Sequence, residues 1–357
     1  MPLEDVSVLV GGAAFKSWKK LSVRGSMKEA ARQFSMTIAA EDGASAVAQR
    51  FQAFAPVKIM AGGDLILDGY VTRRQPVLSA TDAHVVISGH SKGKDAVDSS
   101  AMHKTGRFEN KSVLEIGKEI IAQTGIDVDL SADVDLPKVP EYQIAPGETV
   151  FRCLERLCRD AGVTMMGEAA GIKLTNASKS PPRHAGGIIE GVNLREGSAD
   201  HNAENRHSKV HARGQKYDGH GAGSLELESV ATDSTVPRIR PLVLVPNGDT
   251  DKKRIKDRAG HHRDRAAGHG LRAHVSLVGW RDSGGALWKP GWRVWVESPY
   301  LDVTQDMLVE TFEFSQDEKS EGTVAQLDLC DPQAYRGKKG GRVKSGKAWK
   351  HDSSEAK

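Results

Sequence analysis

The chain has 357 residues, long enough for two or three domains with separate cores, and its 38% hydrophobic and 5% aromatic content is lean while 37 glycines point to many turns. Lys and Arg number 50 against 47 Asp and Glu, a balance of +3 that excludes a global field demanding nucleic acid. Met1 is followed by Pro2-Leu3-Glu4-Asp5 instead of a basic and apolar leader, and no apolar run approaches the roughly eighteen residues of a bilayer span, so neither a signal peptide nor a membrane anchor is expected.

Residues 1–97 read as a first β domain. Segments 6–12, 18–24 and 33–38 are strand-like, and alternation at Phe34, Met36 and Ile38 marks a strand with one wet face. A short helix is expected over 45–54. Residues 56–60, entered through Pro56, are followed by 65–71 and 83–89, a three-strand meander. Roughly six strands in about ninety residues suffice to close a small barrel or build a sandwich.

From residue 98 to 180 the texture changes to a compact α+β unit. Ser112 followed by Glu115 is a capping box, Val113, Ile116, Ile120 and Ile121 form an apolar stripe, and Gly125 stops the helix. A loop rich in Asp and Pro leads to a second helix over 149–161, with Val150, Leu154, Leu157, Cys158 and Ala161 on one face. Segments 163–167 and 171–174 predict a hairpin, and Ser178-Lys179-Ser180-Pro181-Pro182 reads as a linker.

The third region, 181–335, begins with strand-like 188–194 and 207–214, then a glycine-rich loop, 225–230, 241–245, a polar helix near 250–267 and a strand over 271–277. Its most informative stretch is 286–332. Trp288, Trp292 and Trp295 are half of the chain's six tryptophans and sit where Pro290 and Gly291 open a strand over 293–297. Segments 306–314 and 323–330, joined by turn chemistry at 317–322, predict an antiparallel hairpin. The order and approximate spacing repeat the meander of 56–89: Val71 to Val85 is fourteen positions, Phe312 to Val324 twelve, which we read as an internal duplication. The tail, 336–357, carries eight Lys and Arg against two acids with almost no apolar residues and is expected to be disordered.

Chemical signals are thin. Cys153, Cys158 and Cys330 are an odd number and are expected as reduced packing residues. Histidines cluster at 201, 207, 211 and 220, and at 261, 262, 269 and 274, but His207 and His211 lie four apart on a strand, about 13 Å, too far to share one zinc. There is no HExxH, CxxC, GxSxG, Walker loop or Rossmann glycine pattern, so no catalytic, cofactor-binding or metal-binding residues are assigned. The helix carrying Lys252, Lys253, Arg254, Lys256, Arg258, Arg263 and Arg265 has net +4 with its three aspartates and reads as a solvated face. Tyr142-Gln143-Ile144-Ala145-Pro146-Gly147-Glu148-Thr149-Val150 resembles the opening of a LysM domain, a glycan-binding fold. Any strand, Pro-Gly turn and capped helix would converge on that pattern, and the hairpin expected after the helix departs from LysM, so peptidoglycan binding through 140–176 stands as the alternative reading.

The arrangement as a whole resembles the baseplate hub proteins of Mu-like contractile-tailed phages, related to the hub part of type VI secretion spikes. The residues carrying this are LWKPGWRVWV at 287–296, LVETFEFSQDEKSEGTVAQLDLCDPQAY at 308–335, FAPVKIMAGGDLILDGYVT at 54–72 and APGETVFRCLERLCRDAGVTM at 145–165. The resemblance implies an α+β but predominantly β fold, with two tail-tube-like barrels around an inserted α+β region. It further implies a non-enzymatic homotrimeric ring in the virion's tail baseplate, contacting the tail tube protein, a trimeric spike and, transiently, DNA in the channel. The three tryptophans are expected to supply interface anchors, at least one of them facing a barrel core.

Overall fold

A computed structural model of the chain describes residues 4–39, 50–161, 163–175, 181–215, 227–245, 252–317 and 322–335. The first third forms seven strands: β1 (Val6–Val10), β2 (Ala13–Phe15), β3 (Lys20–Ser26), β4 (Gln33–Ala39), β5 (Pro56–Ala61), β6 (Asp64–Leu78) and β7 (Ala83–Ser91). Alternating burial along β4 places Phe34, Met36 and Ile38 inside, as the sequence pattern requires. Of the helix expected over 45–54, residues 45–49 lie outside the described residues, and 50–54 form turns and bends. β6 runs past the expected Val71 to Leu78 and pairs with β7 at very close approach: a Cβ on Gly69 would meet the His90 carbonyl oxygen at 1.9 Å.

The middle unit holds α1 (Gly93–Asp98), β8 (Arg107–Ser112), α2 (Val113–Thr124), β9 (Asp129–Ala132), β10 (Lys138–Gln143), α3 (Val150–Ala161), β11 (Thr164–Gly167) and β12 (Gly171–Thr175). The capping box forms, with Ser112 N–H donating to Glu115 Oε2 at 2.7 Å and Glu115 N–H to Ser112 Oγ at 3.2 Å, and Gly125 ends α2 in the left-handed region. The stripes of α2 and α3 meet β9 and β12 in a separate apolar core that includes Cys153 and Cys158. β9 and β10 occupy what the sequence reads as a loop. Both are short, and Pro140 interrupts the alternation of β10.

The last third contains β13 (Arg183–Ile189), β14 (Leu194–His201), β15 (Lys209–Gly214), β16 (Leu227–Thr232), β17 (Pro241–Leu244), α4 (Lys252–Gly268), β18 (Leu271–Val278), β19 (Arg293–Ser298), β20 (Val303–Asp317), β21 (Gly322–Cys330) and a 3-10 turn, Pro332–Tyr335. Residues 188–194 are not one strand. Gly191 takes φ +77°, and the Asn193 side chain receives the Ile189 N–H and donates to Gly187 O, both at 2.8 Å, closing a turn that sends β14 away from β13. The glycine-rich loop after Gly214 and the basic tail fall largely or wholly outside the described residues.

The first and last thirds join in one 13-stranded sheet, ordered β14-β18-β21-β20-β3-β4-β7-β6-β5-β1-β2, with β19 beside β20 and β13 beside β19. Their apolar side chains form one contiguous cluster from Val6 to Leu329. β15, β16 and β17 make a small separate sheet under α4, sealed by Val210, Ala212, Ala231, Ile255 and Ala259. No helix among the described residues is long and apolar enough to cross a membrane.

Candidate assembly surface

β20 serves two neighbours in succession. Its first half, Val303 to Leu308, pairs with β19; after an irregularity at Glu310 its second half, Thr311 to Asp317, pairs antiparallel with β3. This seam joins the first third of the chain to the last. On its polar face Glu313 stands opposite Arg24 and Asp317 opposite Lys20, two acid–base cross-strand pairs. On the other face Phe312 and Phe314 are buried, with ring centroids 4.4 Å apart. Gly25 is what lets Phe312 lie flat there, because a Cβ at that position would meet the ring at 2.6 Å; the Arg32 guanidinium covers the same ring at 5.3 Å.

β6 is built the same way. Like β20 it has 15 residues, and it carries the same irregularity against its hairpin partner, between Val71 and Arg73. Its first half pairs with β5 and β7, its second half, Arg73 to Leu78, with β7 alone. Among the described residues no strand takes the other edge of Arg73–Leu78, nor the outer edge of β14 between Glu196 and His201.

The polar face of the sheet holds a cleft of about 450 Å³ across the seam, bordered by Arg24, Glu29, Asp200, Arg272, His274 and Asp328. Glu310 lies at its floor. Burial raises the Glu310 pKa, but an ion pair with Lys28 at 2.7 Å and the Tyr335 hydroxyl outweigh it and hold the carboxyl below its ordinary range. The charges here are of both signs, and Arg24 with Glu29, Lys28 with Glu310 and His274 with Asp328 form ion pairs or hydrogen-bonded pairs across it.

The sequence-singled residues are mostly consumed inside the chain. Trp288 and Trp295 are buried, and Trp292 is half-buried with its ring 4.9 Å from His184, so the tryptophan cluster anchors the molecule's own core in place of an open interface. His211 pairs with Glu228 and His274 with Asp328, both at 2.8 Å, and no group of three metal-ligating side chains occurs among the described residues. On α4, Arg263 holds Asp264 and the Thr232 carbonyl, and Arg265 the Ala334 carbonyl. In the LysM-like segment, Glu148 accepts from Arg156 at 2.7 Å and from the Ala145 N–H, while Thr149 caps α3 through the Arg152 N–H. After α3 the chain makes the β11–β12 hairpin, with β12 parallel to β9. The sequence reading missed the free half of β6, whose Arg73-Arg74 run breaks the apolar alternation, and the buried pair of His184 and Asp282, which lie 98 positions apart.

Three family models match the chain: "Mu phage baseplate assembly protein GpP-like, N-terminal" over residues 5–91, "Baseplate hub protein gp44-like, second domain" over 93–175, and "Mu phage baseplate assembly protein GpP, fourth domain" over 251–338. The LysM-like segment falls within the second. Baseplate hub protein gp44 of Escherichia phage Mu is 25% identical over 317 residues, 85% of this chain and 82% of that protein. The 43 kDa tail protein of prophage MuSo2 from Shewanella oneidensis superposes with a TM-score of 0.80 at 24% identity, over 94% of this chain and 99% of that one. The E. coli c3393 protein, a component of the type VI secretion system described as similar to the T4 tail proteins gp27 and gp5, superposes at 0.52 with 11% identity, over 90% and 76% of the two chains. This chain belongs to the baseplate hub proteins of Mu-like contractile phage tails and shares their fold with type VI secretion components.

Proposed function

We propose that three copies of this hub protein close into a ring that adapts a sixfold tail tube to a threefold spike, and that DNA passes through its channel on contraction. The observation that carries this is a repeated strand order. The run β3-β4-β7-β6-β5-β1 in the first third corresponds to β14-β18-β21-β20-β19-β13 in the last, with equally long third-from-end hairpin strands and the same bulge. The two halves differ at the end of the run: β1 joins β5 antiparallel, β13 joins β19 parallel. A chain with two such halves offers two similar interfaces, which is what converts three subunits into six quasi-equivalent positions.

On this reading the two halves, 1–97 and 181–335, are barrel-like domains descended from one ancestor, and 98–180 is an insertion. The tail tube protein docks on one rim, the trimeric spike on the other, and the role is mechanical, with no reaction. Light scattering of the purified chain at low and high salt tests it. A mass near three times 38.5 kDa in both, with a central channel on imaging, is expected; a monomer that stays monomeric in the presence of tube or spike protein refutes it.

A further inference from the structure

We infer that the unpaired half of β6 is the docking edge for β14 of a neighbouring copy, and that the seam between copies repeats the β3–β20 seam within the chain. This rests on the ring proposed above and specifies its contact.

The register follows from the repeat. Matching the bulges of the two hairpins sets Arg73 in the place of Thr311, Gln75 in that of Glu313 and Val77 in that of Ser315. Following the ladders outward through β4 and β18 sets Ser198 in the place of Ser22, Asp200 in that of Arg24 and Glu196 in that of Lys20. Because Ser22 faces Ser315 and Arg24 faces Glu313 within the chain, Val77 should face Ser198 of the neighbouring copy, and Gln75 its Asp200. Gln75, Ser198 and Asp200 are exposed, Val77 is half-buried, and Leu78 beside it is 85% exposed.

Charge makes the choice of partner specific. Inside the chain the acids lie on β20 and the bases on β3. Between copies the signs reverse: Arg73 lies on β6 and Glu196 and Asp200 on β14, all on one face of the sheet, with Arg73 diagonal to Asp200 at a spacing that long side chains bridge. The wrong combination is penalised. If β14 displaced β3 from β20, Glu313 would face Asp200 and Asp317 would face Glu196; if β3 took the β6 edge, Arg73 would sit diagonal to Arg24. Pro76 has no N–H, so this seam forms one ladder bond fewer than its internal counterpart. That blunts the edge against indiscriminate pairing and leaves side-chain charge to select. With both edges taken, the unbroken run from β14 through β20 and β3 to β6 continues from copy to copy, and no such edge stays open.

The test uses the full chain with Val77→Cys and Ser198→Cys together, treated with a short bis-maleimide. The internal counterpart, Ser22→Cys with Ser315→Cys, serves as the geometric control, and the solution mass is measured in parallel. Covalent dimers and trimers from the first pair, monomer from the control, and none from Val77→Cys with Ala14→Cys are expected. A trimeric mass without cross-linking through Val77 and Ser198 overturns this pairing while leaving the ring intact; a monomeric mass overturns both. Charge reversal gives an independent arm. Asp200→Arg should weaken trimer formation at least tenfold and Arg73→Asp combined with it should restore it, with circular dichroism unchanged throughout. Additive losses in the double variant would refute the contact.

Discussion

Nδ1 of His184 lies 2.9 Å from Oδ2 of Asp282, and neither side chain reaches solvent. The Asp282 carboxylate also accepts the Ala185 N–H at 3.1 Å and the Gly284 and Ala286 N–H groups at 2.9 Å. The Lys289 N–H donates to His184 Nε2 at 3.2 Å, which assigns the proton to Nδ1 and leaves the imidazole neutral. Trp288 and Trp292 cover the ring at 4.8 and 4.9 Å. The pair thus pins β13 to the loop that leads into β19.

Burial depresses the His184 pKa, more than Asp282 raises it. A histidine with a lowered folded pKa contributes stability that is complete above its unfolded value of about 6.5 and is lost as pH falls from there toward the folded value. Urea unfolding between pH 7.5 and 5 should therefore show stability dropping with acidity. His184→Gln, less stable at pH 7.5, should show a shallower drop; parallel curves for the two proteins would refute the assignment.

Asp282→Ala strands the buried imidazole N–H of His184 and releases the Ala185, Gly284 and Ala286 N–H groups at the more open rim of the site, which should cost about 3–5 kcal/mol. Asp64→Ala, which removes an exposed partner of Arg281 at 2.7 Å, should cost less than about 1 kcal/mol. Thermal unfolding of the two variants compares them directly, and equal costs would mean that Asp282 is not buried as described.

Gly268 ends α4 against the 3-10 turn, where a Cβ would meet the Ala334 nitrogen at 2.1 Å. Alanine favours a helix interior by about 1 kcal/mol over glycine. Here the backbone contact should reverse the sign, with Gly268→Ala destabilising by about 1–3 kcal/mol. A stabilised variant in chemical denaturation would show that the turn does not pack on α4.

At the β3–β20 seam, Phe312→Ala removes a fully buried ring from over Gly25 and should cost about 3–5 kcal/mol. Refilling the face with Gly25→Ala in the same chain should recover part of the loss, because the added methyl occupies space the ring has left. A double variant no more stable than Phe312→Ala would count against that packing.

Burial pushes the Cys153 thiol up to about 11 and that of Cys158 up to about 12, and raises Cys330 further. All three are free and buried. The folded chain should leave its thiols unlabelled by maleimide at pH 7.5 while the urea-unfolded chain labels three; rapid labelling of the folded chain would contradict their burial.

Local patterns in the sequence specified local structure. The Ser112 and Glu115 capping box, the stripe from Val113 to Ile121 and the alternation of β4 are decided within a few residues, and so are the β6–β7 and β20–β21 hairpins. Where the deciding contact is distant, sequence periodicity carried little. The turn at Gly191 to Asn193 interrupts an apolar run, β9 and β10 are stabilised by elements elsewhere in the chain, and the tryptophans that read as interface anchors cover a histidine that precedes them by about a hundred positions. The pairing of β3 with β20, which makes the first and last thirds one sheet, leaves no local mark. Neither does the unmatched half of β6. An edge is defined by which strand is missing beside it, and only the assembled fold determines that, because backbone hydrogen bonding between distant strands is the same for every sequence and side-chain packing selects the partner.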